Sequence, residues 1–283
     1  MTTTDPWAFL QQHTAARIAQ GRVGHSLPTD ALLSFQLDHA RARDAVYSEL
    51  DTSGLLNQLN TICPDPLLLH SQAADRRQYL QRPDLGRKLR TGSLDTSRQR
   101  GLVGTTPESR TTFTGQSAVT VSTVDIAIVL ADGLSATAIN KHAIPVVSSL
   151  VKAVQELGWS LAPLCLVEQG RVAIGDEIAH QLNAEMVVVL IGERPGLSSP
   201  DSLGAYLTYQ PKPGLTDESR NCVSNIRPEG LSYEFAVQKL VYLLSEMKIR
   251  RLSGVGLKDE MPTHTPLHTS SPAASVQSPE TPD

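Results

Sequence analysis

Aromatic residues are scarce, at 4% of the chain, and cysteine is scarcer, with three in 283 positions. Cys63, Cys165 and Cys222 lie too far apart for a zinc-binding spacing or a disulfide framework, so reduced thiols are expected. No run of about 18 apolar residues occurs, which excludes a membrane-spanning helix. Residues 1–6 lack the charged start and apolar core of a secretory signal. Positive charge is not in excess either: 25 Lys and Arg against 29 Asp and Glu leave a formal charge of −4, unfavourable for nonspecific binding to nucleic acid. The sequence also lacks H-E-x-x-H, paired-His and Cys-x-x-Cys patterns, which argues against a protein-ligated catalytic metal. Without G-x-S-x-G, G-x-G-x-x-G or G-x-x-x-x-G-K-[ST] there is no nucleophile elbow, dinucleotide fingerprint or P-loop. An ordinary soluble, cytoplasmic composition remains, 40% hydrophobic and 19% charged, long enough for one large domain or two modest ones.

What is present begins with helical patterning. Trp7, Leu10 and Ile18 form a short amphipathic stretch that ends at the turn of residues 21–24. After the capping residues Thr29 and Asp30, the stripe Leu32, Phe35, Ala42, Val46 and Leu50 predicts a second helix with a core face. His39 falls on that stripe and reads as a core or interface histidine rather than a ligand. Pro64, Pro66 and Pro83 then break any long helix. Residues 76–100 carry eight Lys and Arg against two Asp, either a solvated basic face or a docking surface for an acidic partner or a ligand phosphate. The Ser/Thr-rich stretch 97–123 reads as a mobile insertion.

From Val124 the pattern becomes α/β. Residues 124–130, 161–167 and 186–191 are short apolar runs suited to strands buried on both faces, and 205–209 reads as a fourth strand. Helices are expected from Ser135 to about Leu157 with a kink or restart at Pro145, over 175–183, and over 233–248. Alternating strands and helices predict a parallel sheet. The expected organisation is an N-terminal helical and basic region over 1–123, a Rossmann-like parallel-sheet domain over 124–250, and a tail over 251–283. With five Pro and eight Ser/Thr in residues 261–283, most of that tail is expected to be disordered.

Ligands of open parallel sheets bind beyond the carboxyl ends of the strands. Three loops occupy that place: residues 131–135, 168–172 and 192–197. In the last, Glu193 and Arg194 stand between glycines and either accept and donate toward a ligand or form a plain turn with an ion pair. Asp132 and Glu193 are candidate paired carboxylates. Cys222 has no neighbouring general base in sequence and reads as a packing or ligand-contact residue.

The chain resembles the small (light) subunit of adenosylcobalamin-dependent ethanolamine ammonia-lyase. The matching strings are Arg17-Ile18-Ala19-Gln20-Gly21-Arg22-Val23-Gly24, Thr29-Asp30-Ala31-Leu32-Leu33-Ser34-Phe35 with Asp38-His39-Ala40-Arg41, and Tyr79-Leu80-Gln81-Arg82-Pro83-Asp84-Leu85-Gly86-Arg87. Asp132-Gly133-Leu134-Ser135, Gly170-Arg171-Val172, Gly192-Glu193-Arg194-Pro195-Gly196-Leu197 and Cys222-Val223-Ser224-Asn225-Ile226 follow in family order. The resemblance implies a subunit of a carbon–nitrogen lyase that converts ethanolamine to acetaldehyde and ammonia by radical chemistry. It also implies that ethanolamine is bound by a large (heavy) partner subunit in a hetero-oligomer, with cobalamin between the two. Carried over by motif, cobalamin contacts fall at Val172, Glu193 and Cys222, and no catalytic or metal-ligating residue is expected in this chain. The Asp-x-His-x-x-Gly motif is absent, so the resemblance points to base-on cobalamin. Some relatives carry an N-terminal extension that directs packaging into a bacterial microcompartment. This chain begins almost at the core motif, so cytoplasmic residence is the stronger expectation. A non-catalytic cobalamin carrier or sensor module is the alternative.

Overall fold

The computed structural model describes residues 5–14, 16–94 and 123–261. Most of the expected mobile insertion and nearly all of the expected disordered tail lie outside the described residues.

Six strands form one sheet, in the order β1 (Leu67–His70), β3 (Cys165–Glu168), β2 (Val124–Ala131), β4 (Ala184–Gly192), β5 (Leu203–Tyr209) and β6 (Asn221–Ile226). The apolar runs of β2 and β4 explain their central place, because both of their faces are covered. Ile126, Ile128, Leu130, Met186, Val188 and Leu190 point into one core layer. Ala127, Val129, Ala131, Val187, Val189 and Ile191 point into the other, as the two-residue period of a strand requires.

The α/β class is as the sequence predicts, but the sheet is mixed rather than wholly parallel. β1, β3, β2 and β4 run parallel, whereas β5 and β6 are antiparallel additions at one edge. The physical reason is the connection between β4 and β5, residues 193–202, which has no helix and is too short for a parallel crossover. β1 and β6 are strands that the sequence pattern did not show.

Besides three short 3-10 helices, seven α-helices among the described residues surround the sheet: α1 (Thr29–Val46), α2 (Thr52–Ile62), α3 (Arg76–Gln81), α4 (Pro83–Gly86), α5, α6 (Ile174–Gln181) and α7 (Tyr233–Arg250). α5 starts at Ala136–Ala138, passes through a π-helical turn at Ile139–Ala143 and continues over Ile144–Glu156. Pro145 lacks an amide hydrogen and its ring would crowd the carbonyl one turn back, so the widened turn just before it absorbs the misfit.

α2, α5 and α7 cover one face of the sheet. α6, with Leu89 and Leu94, covers the other. That second cover stops short of the sheet edge: Tyr206 on β5 is half-buried, and Cys222 and Ser224 on β6 are exposed. α1 packs far less than its sequence stripe predicts. Leu32 and Phe35 are 42% and 37% exposed, Ala42 and Val46 are half-buried, and only Ala45 is buried. Leu50 lies beyond the helix end, and His39 is exposed beside the Phe35 ring. No described helix is long and apolar enough to cross a membrane.

Candidate functional site

The carboxyl ends of β2, β3 and β4 converge, and the convergence is held by a buried carboxylate. Asp132, the first residue after β2, accepts hydrogen bonds from the backbone amides of Gln169 at 2.9 Å and Gly170 at 3.0 Å, in the loop after β3. The Arg76 guanidinium stands 3.8 Å away. Burial nevertheless outweighs these favourable partners and pushes the Asp132 carboxyl up to about 6. Asp132 thereby fastens two strand-end loops together.

Two glycines close the same junction. Gly133 has φ +59° and a Cβ there would lie 2.3 Å from the Gly192 carbonyl oxygen, which accepts from the Leu134 amide at 3.0 Å. A Cβ on Gly192 would meet the Ser135 carbonyl oxygen at 2.0 Å. Gly192 therefore serves contact between loops rather than the approach of a ligand, a structural use that the sequence had left open.

The floor of the junction is Tyr79, buried between two cations. The Arg76 and Arg171 guanidiniums lie 4.7 and 4.5 Å from its ring centroid. Its hydroxyl donates to the Gly170 carbonyl at 3.3 Å, and Arg171 donates back to the Tyr79 carbonyl at 3.2 Å. Arg76 spans the region, donating at 2.7 Å both to the Val46 carbonyl at the end of α1 and to the Gly133 carbonyl. Thus Arg76, the first residue of the basic stretch, is absorbed into the fold rather than left on a solvated face.

Above this floor lies a cleft of about 440 Å³, walled by Tyr79, Arg171, Val172, Glu193, Arg194 and Tyr206 among others. Val172 is half-buried at the head of α6, its carbonyl accepting from the Gly175 amide at 3.1 Å. The half-buried Glu193 carboxylate accepts from the Asn225 amide at 3.2 Å and leans on Gly204. No ion pair joins Glu193 to Arg194 among the described residues, and Arg194 is exposed. Cys222 is not a cleft wall. It sits on the open sheet just beyond, in register with Tyr206, with its Sγ 3.2 Å from Ser224 Oγ. Burial and the nearby Cys222 thiol and Glu193 carboxylate raise the Tyr206 phenol well above its ordinary value.

The structure therefore brings Val172 and Glu193 into one cleft and puts Cys222 on the adjoining surface. Sequence reasoning missed Tyr79, Arg171 and Tyr206 as parts of the site. The available signal was the coincidence of Tyr79, Gly86 and Arg171 with the family motifs: Gly86 packs on the Tyr79 ring and its carbonyl accepts from the Arg171 amide at 2.8 Å. The Arg171 Nε–H is buried with no acceptor among the described residues.

The family described as Ethanolamine ammonia-lyase light chain (EutC) matches residues 4–258. Curated relatives carry the name Ethanolamine ammonia-lyase small subunit. That of Pseudomonas fluorescens (strain SBW25) is 52% identical over 261 residues, 92% of this chain and 88% of the relative. That of Azotobacter vinelandii (strain DJ / ATCC BAA-1303) is 54% identical over 258 residues, 91% of this chain and 90% of its own length. In Pseudomonas putida (strain GB-1) the identity is 52% over 264 residues, 93% of this chain and 91% of the relative.

Proposed function

The chain belongs to the ethanolamine ammonia-lyase light-chain family, and on that premise we propose that its cleft forms one wall of an adenosylcobalamin site completed by the large subunit. Assembled in this way, the enzyme converts ethanolamine to acetaldehyde and ammonia, with ethanolamine held by the large subunit. The observation that carries the proposal is that Val172, Glu193, Arg194 and Tyr206 wall one cleft, with Cys222 in register with Tyr206 on the neighbouring strand.

The residues present suit the periphery of a corrin, which carries amide N–H and C=O groups. Glu193 accepts from an amide N–H, and the exposed Arg194 guanidinium donates to an amide carbonyl. Val172 and Cys222 contribute backbone groups, and Tyr206 supplies a flat, half-buried side wall. Asp132 and the Tyr79 stack keep these groups in fixed positions, so little ordering remains to be done on binding. When bound, the cofactor supplies the radical chemistry, and this chain's part is to bind, orient and exclude water. The wide spacing of the three cysteines, which offers no disulfide framework, supports residence in the reducing cytoplasm.

The test is acetaldehyde release from ethanolamine and adenosylcobalamin by this chain alone, by the large subunit alone, and by both. Activity confined to the mixture is the expected result. Tight cobalamin binding by this chain alone, with an assembled but inactive mixture, would instead favour a cobalamin carrier or sensor built on the same cleft.

A further inference from the structure

Gly204 stands inside β5, where a glycine weakens the strand and has no side chain to pack. Its φ is not positive, so the backbone does not require a glycine. Space does. The three atoms nearest to a Cβ there all belong to one side chain: Glu193 Oε1 at 3.0 Å, Cγ at 3.1 Å and Cδ at 3.4 Å. At Gly133 and Gly192, by contrast, a Cβ would strike backbone atoms. Across the ladder from Gly204, β6 carries a β-bulge. Leu203 pairs with Ile226 and Ala205 with Val223, so Ser224 and Asn225 together oppose Gly204 alone. Asn225 has φ +59°, a left-handed conformation that asparagine accepts more readily than most residues. A bulge leaves its extra residue outside the ladder, and the Asn225 amide is spent on Glu193 Oε2 at 3.2 Å instead. Arg227 braces the arrangement. Its Nε donates to Asn225 Oδ1 at 3.0 Å, and its Nη1 donates to the Ser198 carbonyl at 3.1 Å in the loop that leaves β4.

We propose that Gly204 and Asn225, facing each other across the bulge, are positioning residues that hold the Glu193 carboxylate ready for a corrin amide. This rests on the cofactor reading above. Neither residue walls the cleft, so each acts through Glu193. A glutamate side chain is costly to order, and a ligand that had to order it would bind more weakly. Here the ordering is done in advance. The Glu193 amide donates to the Ser202 carbonyl at 3.0 Å, which fixes the backbone end of the side chain. The missing Cβ of Gly204 gives the carboxylate room to lie against β5, and the bulged amide fixes one of its oxygens. Of the roughly four acceptor sites on a carboxylate, the Asn225 amide takes one, which leaves capacity for a ligand N–H.

The experiment measures adenosylcobalamin binding to the assembled enzyme by equilibrium dialysis, together with turnover at saturating cofactor. Wild type, Gly204→Ala, Glu193→Ala and the double variant are compared. Gly204→Ala is expected to weaken binding about fivefold while saturated turnover stays within about twofold. In the Glu193→Ala background the same added methyl should change binding by less than about 1.5-fold, because the side chain that it displaces is gone. Amide exchange at Asn225, followed before cofactor is added, should quicken in Gly204→Ala and in Glu193→Ala alike. Equal loss from Gly204→Ala in both backgrounds would assign the glycine to the packing of the sheet and overturn the inference. Unchanged binding, or an Asn225 amide that exchanges at the wild-type rate in Glu193→Ala, would overturn it too. Failure of the wild-type enzyme to bind adenosylcobalamin would overturn the cofactor reading itself, whereas the exchange comparison tests the hold on the carboxylate without any cofactor.

Discussion

α1 and α7 are equally long, at 18 residues each, yet they have opposite fates. α7 buries Ala236, Val237, Leu240, Leu243, Leu244 and Met247, spaced by threes and fours along one side, against the outer strands and α5. α1 crowds its large apolar residues into its first half, around more than one side, and buries a single alanine. A sequence can state that a helix has apolar side chains to cover. It does not state whether the cover is the chain's own core or another molecule. The candidate cofactor cleft lies at the seam between these two regimes, walled by the packed sheet and tied through Arg76 to the end of α1.

The sharpest way to break this comparison is to truncate one leucine on each helix in the isolated chain. Leu240→Ala, in a fully buried position, is expected to lower stability by about 3 kcal/mol in urea unfolding, whereas Leu33→Ala should change it by less than about 0.5 kcal/mol. A comparable loss at both positions would mean that α1 is part of the chain's own core after all.

The seam is probed next through Asp132. Its folded-state value is about 6 against an ordinary 3.8, so in the window between them the folded protein holds a proton that the unfolded chain has released. Stability from this group therefore rises as pH falls from about 6 to about 4, by on the order of 2 kcal/mol. Asp132→Asn should abolish that increment. Urea midpoints for the two proteins at pH 7 and pH 4.5 measure it, and parallel pH dependences would remove Asp132 from the seam.

Glu193→Gln should weaken cobalamin binding by about tenfold while saturated turnover stays within about twofold, since a charge-assisted acceptor is exchanged for a neutral one. Equilibrium dialysis of the assembled enzyme gives the first number and the steady-state rate gives the second. An unchanged dissociation constant would take Glu193 out of the site. The smallest effect belongs to Tyr79→Phe, which keeps the ring between the two guanidiniums and deletes only the hydroxyl bonded to Gly170. About 1 kcal/mol of stability should be lost.

The elements most legible in the sequence were those whose environment is uniform. β2 and β4 announced themselves because strands buried on both faces need unbroken apolar runs. β6 stayed hidden because an edge strand with one open face has no such need: Cys222, Ser224 and Asn225 are all exposed, and the segment reads as a loop. β1 is four residues long and follows Pro66 directly, too short for a period to show. At the site, the loops bearing Val172 and Glu193 followed from the strand-end rule. Tyr79 could not be found that way, because the Gly170 carbonyl it bonds is 91 residues distant. Arg171 stands beside Val172, but nothing local in the sequence reveals that its Nε is buried with no acceptor among the described residues.

Composition, the alternation of apolar runs with amphipathic segments and the order of the motifs were enough to determine the α/β class and to point to the family. Those properties are set by residues near one another in the chain. Tertiary structure alone decided that β5 and β6 run antiparallel, that Asp132 ties two strand-end loops together, and that Cys222 sits in register with Tyr206 beside the cleft. It also decided that α1 buries only Ala45 while Leu33 and Leu37 are exposed. Each of these depends on which distant surfaces meet and on how much area remains for them to bury, quantities that no local pattern contains.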